Sequence, residues 1–202
     1  QLFEQGHQIT TISQSPKTDE FATHLIQDVH QLNLTQIKPI DWAYVLLSPS
    51  QSSIEGYQQT YVDSVAPIVA ALKQHLVQKI VVVSSTRVYG ENKGEHTDDE
   101  SCIQPVDEQG RLLRQMEQLY QQAFPKQCII IRPTGIYGTS VARMIKLAEI
   151  TQSYPQIHYS NRIHIDDLAR FLAQLIHVEH PENSYIVSNN QPIPLHEIIQ
   201  WL

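Results

Sequence analysis

Short runs of apolar residues alternate along the chain with longer segments in which apolar residues recur every three or four positions. The clearest run, KIVVVSSTRVYG at residues 79–90, starts with β-branched residues and breaks into the hydroxyls Ser84, Ser85 and Thr86. Such a run predicts a strand that is buried on both faces. Similar but weaker runs predict strands at residues 9–12, 23–27, 42–47, 128–131 and 185–187, with a mixed polar and apolar segment at 158–165.

The helical stripes lie between these strands. The longest covers residues 54–76, with Leu76 as its last apolar position and Pro67 expected to kink it. Residues 1–5 read as the tail of a helix that Gly6 ends, and residues 29–40 allow only a turn or a brief helix. Asp166 or Asp167 is expected to cap the helix at 168–178. Further helices are predicted at 111–124, 141–150 and 195–202.

Strands that alternate with helices at this spacing predict right-handed parallel crossovers. The expected fold is therefore α/β, a doubly wound, Rossmann-like parallel sheet in one domain over residues 1–202. The chain has no initiating Met, and its seven glycines form no GxGxxG motif. We expect the opening strand and its Gly-rich phosphate loop to be absent from the given chain, and both ends to be clipped.

Composition narrows the function. With 202 residues, 41% of them hydrophobic, the chain can build one core, and a net charge of -7 argues against a nucleic-acid surface. The two cysteines lack metal-ligand or disulfide spacing, which favours a reducing cytoplasm. The ten histidines form neither HxH nor HExxH, so no metal site is predicted. No apolar run approaches the ~20 residues that cross a bilayer, so no membrane partner is expected.

Four separated segments carry chemistry: SSTRVYG at 84–90, RPTGIYG at 132–138, RIHIDDLA at 162–169 and YIVSNNQPIPLHEII at 185–199. In this order and spacing they resemble the extended short-chain dehydrogenase/reductase family, the group of nucleotide-sugar epimerases and dehydratases. The chain is most similar to an atypical branch of that family. The resemblance implies a small C-terminal substrate-side part, with segments around 137–165 and 185–202, and a possible homodimer through the helices at 54–76 and 111–124.

The resemblance also implies that NAD or NADP lies across the strand ends, beside a small-molecule substrate such as a nucleotide sugar. By position, Ser85 matches the family's active-site hydroxyl, and Asp28 matches the acidic residue near the adenine. The loop against the adenosine and pyrophosphate corresponds to Leu47, Ser48 and Pro49. The turn under the nicotinamide corresponds to Pro133, Thr134 and Gly135, and Ser84 joins the cofactor-binding set.

The sequence departs from the family at the residues that carry out proton transfer. Family members use a Tyr as acid and base and a Lys four residues later that lowers the pKa of the phenol. Counted back from Glu117, these positions hold Gln109 and Leu113. Gln cannot exchange a proton at neutral pH, and Leu113 only extends the apolar stripe of its helix.

Three interpretations follow. The first is an oxidoreductase or epimerase that takes its acid or base from elsewhere, with Ser85, Tyr89, His164 and Tyr137 as candidates. The second is a dinucleotide-binding sensor or partner-binding module without catalysis. The third is a fragment that binds nothing. Structural roles compete at each position, since Ser85 can cap a turn and His164 can be a packed residue.

Cofactor preference is read at the end of the strand at 9–12. An acidic residue there would favour NAD, and an Arg would favour NADP. The chain has Ser13, Gln14 and Ser15 instead. Because short hydroxyls can donate to a phosphate, the sequence leans slightly to NADP.

Overall fold

The computed structural model describes residues 1–18, 20–90, 94–140, 142–150 and 159–200. The first residues predicted for the segments at 141–150 and 158–165, and the last two of the helix at 195–202, lie outside these ranges. In chain order the strands are β1 Thr10–Ser13, β2 Thr23–Ile26, β3 Trp42–Val45, β4 Lys79–Val83, β5 Cys128–Pro133, β6 Gly135–Tyr137, β7 Tyr159–Ser160, β8 Arg162–His164, β9 Ser184–Val187 and β10 Ile193–Pro194. The α-helices are α1 Ile54–Tyr57, α2 Val65–Leu72, α3 Glu108–Ala123, α4 Ala142–Ile150, α5 Ile165–Gln174 and α6 Leu195–Gln200.

A parallel sheet organises the described residues. Its strands run in the order β3-β4-β5-β9, while β1 and β2 form a separate parallel pair. The smaller pairs are β6 with β8, which is parallel, and β7 with β10, which is antiparallel. All the strands predicted from apolar runs are present, with ends that differ by one or two residues.

Alternate residues of the central strands enter two cores. Ile80 and Val82 of β4 pack with α2 and α3 residues, whereas Val81 packs on the other face with Leu168 and Leu172 of α5. Since all three β4 side chains are fully buried, the strand is covered on both faces, as its unbroken apolar run predicts. Helices on both faces of a parallel sheet make this a Rossmann-like α/β fold.

The helix predicted at 54–76 is broken. A π-helical segment, Gln58–Asp63, separates α1 from α2, and α2 ends at Leu72. Pro67 explains the break because it has no N–H to donate to the carbonyl four residues earlier, at the end of the π segment. The predicted stripe is wrong at Leu76, whose surface is 93% exposed.

Local hydrogen bonds correct the starts of two helices. Helix α3 starts at Glu108 instead of 111, because Asp107 Oδ1 accepts the N–H of Gly110 at 2.7 Å. Helix α5 starts at Ile165, and its cap is His164, whose Nδ1 accepts the N–H of Asp166 at 3.2 Å. The prediction that Asp166 or Asp167 caps this helix is therefore wrong, since both carboxylates lie in its first turn, where they favour the helix dipole. Residues 2–6 form a turn, where a helix tail was predicted at 1–5.

Two further properties concern only the described residues. No helix among them is long and apolar enough to cross a membrane. No group of three or more His, Cys, Asp or Glu side chains is arranged there to hold a metal ion. Both cysteines are free thiols, Cys102 exposed and Cys128 buried.

A buried ion pair joins α3 to the sheet. Arg132 on β5 donates from Nε to Glu117 Oε1 at 3.0 Å and from Nη2 to Glu117 Oε2 at 2.9 Å. The Glu117 side chain is completely buried and that of Arg132 is 3% exposed. Arg114 adds a second donor to Glu117 at 3.0 Å. Such a bidentate pair keeps both charges satisfied where water cannot reach them.

Glu117→Gln is expected to lower the free energy of unfolding by about 3–5 kcal/mol, because it leaves the Arg132 charge buried without a carboxylate. Urea denaturation at neutral pH measures the loss. The matched control is Glu108→Gln, which removes an exposed partner of Arg111 and should cost less than about 1 kcal/mol. Equal losses in the free energy of unfolding for both variants would show that the buried Glu117 pair stabilises the protein no more than an exposed pair does.

Candidate functional site

The predicted site residues gather at the carboxyl ends of the parallel strands. Leu47, Ser48 and Pro49 follow β3, Ser84 and Ser85 follow β4, and the turn 133–135 spans the end of β5 and the start of β6. Because β3, β4 and β5 are parallel neighbours, these three segments share one edge of the sheet. Ser13 ends β1, and Asp28 lies two residues beyond β2, at the corresponding edge of the parallel pair. Ligands in open α/β sheets bind at such an edge.

The two serines after β4 differ. Ser84 is only 8% exposed, and its hydroxyl has no hydrogen-bond partner among the described residues. Ser85 caps the short 3-10 helix Thr86–Tyr89, and its Oγ accepts the N–H of Arg87 at 3.2 Å. The turn-capping interpretation of Ser85 is thus confirmed, and its own O–H is left to donate elsewhere.

An ion pair fixes this turn to the start of α3. Arg87 donates from Nε and Nη2 to the carboxylate of Asp107, at 2.8–3.0 Å. The hydrogen bond from Arg87, with the N–H of Gly110, holds the pKa of Asp107 below its usual range despite some desolvation. The sequence did not indicate Arg87 or Asp107 as site residues. The only sequence signal for the helix cap was that Asp107 lies three residues before Gly110 in a polar segment.

Helix α3 presents neither a phenol nor an ammonium at the positions where the resemblance requires them. The amide of Gln109 donates to the carbonyl of Ser52 at 2.5 Å. Leu113 is 2% exposed and lies in the core with Met116 and Tyr120. Gln109 therefore holds a backbone carbonyl and Leu113 fills the core, so both side chains have structural roles.

Tyr89 lies under the turn, where it is 6% exposed. Its hydroxyl accepts a hydrogen bond from Arg132 at 2.8 Å, and the guanidinium carbon lies 5.2 Å from the ring centroid. Burial raises the pKa of Tyr89 although Arg132 opposes the shift. This environment keeps the phenol protonated, so the prediction that Tyr89 is catalytic gains no support from its surroundings.

His164 and Tyr137 meet at another part of the strand-end region. They are register partners on β8 and β6, and their rings pack edge to face with centroids 5.1 Å apart. His164 Nδ1 accepts a backbone N–H, so a neutral ring carries its proton on Nε2. Gly138, with φ of +108°, lies against this imidazole so closely that any Cβ would collide with Nε2. The His164 side chain remains 34% exposed.

The remaining cofactor candidates make mainly local bonds. Ser13 Oγ donates to the carbonyl of Ser15 at 2.7 Å. Thr134 donates both its N–H and its hydroxyl to the carbonyl of Val187, at 3.0 and 3.2 Å. Asp28 caps the 3-10 helix Val29–Gln31 and accepts from both the main chain and the ring of His30, a residue that the sequence did not indicate.

The profile of the family described as "NAD dependent epimerase/dehydratase family" matches residues 1–187. No curated protein sequence matches the chain significantly. Among solved structures, a Methylobacillus flagellatus protein provisionally described as an NAD-dependent epimerase/dehydratase is 28% identical, with a TM-score of 0.74 over 99% of this chain and 73% of that one.

Two more distant structures show the same fold. MoeE5 in complex with UDP-glucuronic acid and NAD is 17% identical, with a TM-score of 0.81 over 98% of this chain and 74% of that one. UDP-glucuronic acid 4-epimerase from Bacillus cereus in complex with NAD is 16% identical, with a TM-score of 0.79 over 98% of this chain and 77% of that one.

Asp107→Asn tests the ion pair that fixes the turn. Asn caps helices about as well as Asp, so the variant removes the charge and keeps the cap. Because the pKa of Asp107 is lowered in the folded state, its carboxylate stabilises the protein above the ordinary value of 3.8, and this contribution disappears as pH falls through the folded pKa. Urea denaturation should show a loss of about 0.5–1 kcal/mol at neutral pH, since the pair is partly exposed. A loss that persists at a pH below that folded pKa would contradict the assignment.

Proposed function

The chain belongs to the NAD dependent epimerase/dehydratase family, and on that premise we propose that it binds NAD across the carboxyl ends of its strands. A nucleotide sugar, or a related hydroxyl or carbonyl compound, occupies the space beside the nicotinamide. Similar folds bind this pair of ligands, since the MoeE5 structure holds UDP-glucuronic acid with NAD.

The residues at the sheet edge suit the dinucleotide. The buried hydroxyl of Ser84 has no partner within the described part of the chain, and a polar group of this kind calls for a ligand or another partner. Asp28 would lie toward the adenosine, residues 47–49 along the pyrophosphate side, and residues 133–135 under the nicotinamide. The bound cofactor would supply hydride transfer at the nicotinamide, while Ser85 would orient a substrate oxygen.

The observation that carries the binding proposal is the unpartnered, buried hydroxyl of Ser84 at the strand ends, while the two positions matched to the family's Tyr and Lys bear on catalysis. Gln109 is held by a backbone carbonyl and Leu113 is part of the core. Repacking a rotamer cannot turn either side chain into an acid or a base. We therefore propose that binding is retained without the Tyr and Lys pair of the family.

The cofactor is proposed to be NAD. The predicted preference for NADP required free hydroxyls after β1 that could donate to its extra phosphate. Ser13 Oγ instead donates to the carbonyl of Ser15, and His24 Nε2 lies 3.0 Å from the same carbonyl oxygen. With its hydroxyl engaged locally, Ser13 is a poor donor to an extra phosphate. Pairing of two copies through α1, α2 and α3 also stays a prediction, which sedimentation of the protein would test.

Thermal-shift titration of the full-length protein with NAD, NADH, NADP and NADPH tests the binding site. At a hundredfold excess over the dissociation constant, a ligand that binds only the native state stabilises it by about 2.7 kcal/mol. We expect NAD and NADH to shift the midpoint more than the phosphorylated forms. Ser84→Ala should raise the dissociation constant of NAD roughly two- to tenfold, because one hydrogen bond to the ligand is lost.

Thr35→Ala is the matched control, because Thr35 is exposed and its bonds in the described part of the chain go to its near neighbour Asn33. It should leave the NAD shift unchanged. The absence of a shift with all four nucleotides would overturn the proposal.

A second candidate function is catalysis with His164 in place of the missing pair. It is favoured by the partly exposed imidazole, whose Nε2–H is the group left to move a proton. If so, His164→Gln should lower turnover of a UDP-sugar about a hundredfold or more, as loss of a general acid or base does, with NAD binding kept. Product analysis by chromatography measures this, with His180→Gln as control at a 91% exposed side chain. Equal turnover of both variants would exclude His164 from that role.

A further inference from the structure

His30 stands between two hydrogen-bond acceptors. Its Nδ1 lies 2.8 Å from Asp28 Oδ1, and its Nε2 lies 3.0 Å from the carbonyl oxygen of Gln59. A carboxylate and a carbonyl can only accept. Both bonds therefore form together only when the imidazole carries a proton on each nitrogen.

The two acceptors belong to different parts of the fold. Asp28 caps the 3-10 helix that follows β2, on the side proposed for the adenosine. Gln59 belongs to the π-helical segment between α1 and α2, a kind of distortion that is frequent at functional sites. The His30 side chain is thus a tie between the strand-end loop and this segment, across 29 residues of sequence.

Charge favours the doubly protonated ring. The bond to the Gln59 carbonyl and the bond to Asp28 raise the pKa of His30 above its ordinary 6.5, with a smaller contribution from Asp63 and opposition from partial burial. The backbone and side-chain bonds from His30 lower the pKa of Asp28 below its ordinary 3.8. Among charged groups, Asp28 and then Asp63 contribute most to this shift. At pH values between the lowered pKa of Asp28 and the raised pKa of His30, the carboxylate is charged and the imidazole carries both protons. Both hydrogen bonds of His30 therefore form together in this range.

We propose that His30 is a positioning residue for the adenosine half of the dinucleotide, and that NAD binds more weakly once this imidazole loses its proton. The neutral ring has one N–H and must release either Asp28 or Gln59. If it releases Asp28, a nitrogen lone pair faces the carboxylate. If it releases Gln59, the loop loses its tie to the π segment. In both cases NAD must order the loop on binding, which costs affinity. This inference rests on the proposed NAD site.

Two measurements on the full-length protein test it. Proton NMR follows the His30 imidazole without nucleotide, its signal identified by its loss in His30→Gln. Calorimetry gives the dissociation constant of NAD from about pH 5.5 to about pH 8.5, the range in which histidines titrate. We expect the constant to rise roughly two- to tenfold as His30 titrates, the effect of one hydrogen bond. In His30→Gln, whose side chain is neutral throughout this range, NAD should bind weakly and its dissociation constant should not change with pH. His180→Gln should behave like the wild type.

The outcomes separate the two proposals. If wild-type protein binds no NAD at any pH, the proposed function fails and the positioning role falls with it. If NAD binds but His30 titrates at its ordinary value, or if the pH dependence survives in His30→Gln, only the positioning role is overturned. Asp28→Asn is the second variant, and it should return the His30 titration toward its ordinary value, while thermal unfolding verifies that each variant is folded.

Discussion

The buried pair of Glu117 and Arg132 is the interaction on which the strand-end architecture depends. Removing these two charges from water is costly, and only the bidentate geometry with Arg114 as a further donor repays it. The pair also constrains position, because Glu117 can meet Arg132 only if α3 lies at one height along β5. Arg132 in turn donates to Tyr89. One buried guanidinium thereby sets the relation among helix α3, strand β5 and the turn after β4.

That turn has two anchors, and both follow Ser84 and Ser85 directly along the chain. Tyr89 fixes its end to the core, while Arg87 ties it to Asp107 at the start of α3. Ser85 is therefore presented on a segment that has little freedom to move. Rigid support of this kind is what a binding site needs if its side chains are to meet a ligand without further ordering. The fold of the family is present, with Gln109 and Leu113 at the positions that the resemblance assigns to its Tyr and Lys.

Features set by local sequence were predictable, and features set by contacts across the chain were not. The buried strand at 79–83 follows from its unbroken apolar run, whereas only a kink, and not the π-helical break before Pro67, was predicted for the helix at 54–76. The start of α3 was misplaced because its cap, Asp107, lies outside the apolar stripe. The cap of α5 was misassigned because a histidine, rather than a neighbouring Asp, accepts the free N–H. The tie between His30 and Gln59 has no local signal, since the two residues are 29 positions apart and meet only through the tertiary fold.

The replacements at Gln109 and Leu113 have a physical logic that bears on function. A lysine at a position that is 2% exposed would have to be desolvated, which disfavours its charged form. Leucine there adds to the core, where it packs in one cluster with Met116 and Tyr120. Ser84 shows the opposite, because its buried hydroxyl has no hydrogen-bond partner among the described residues. The strand end after β4 thus keeps a polar group with unused hydrogen-bonding capacity, while the two α3 positions matched to the family's acid and base hold side chains used in a backbone contact and in the core.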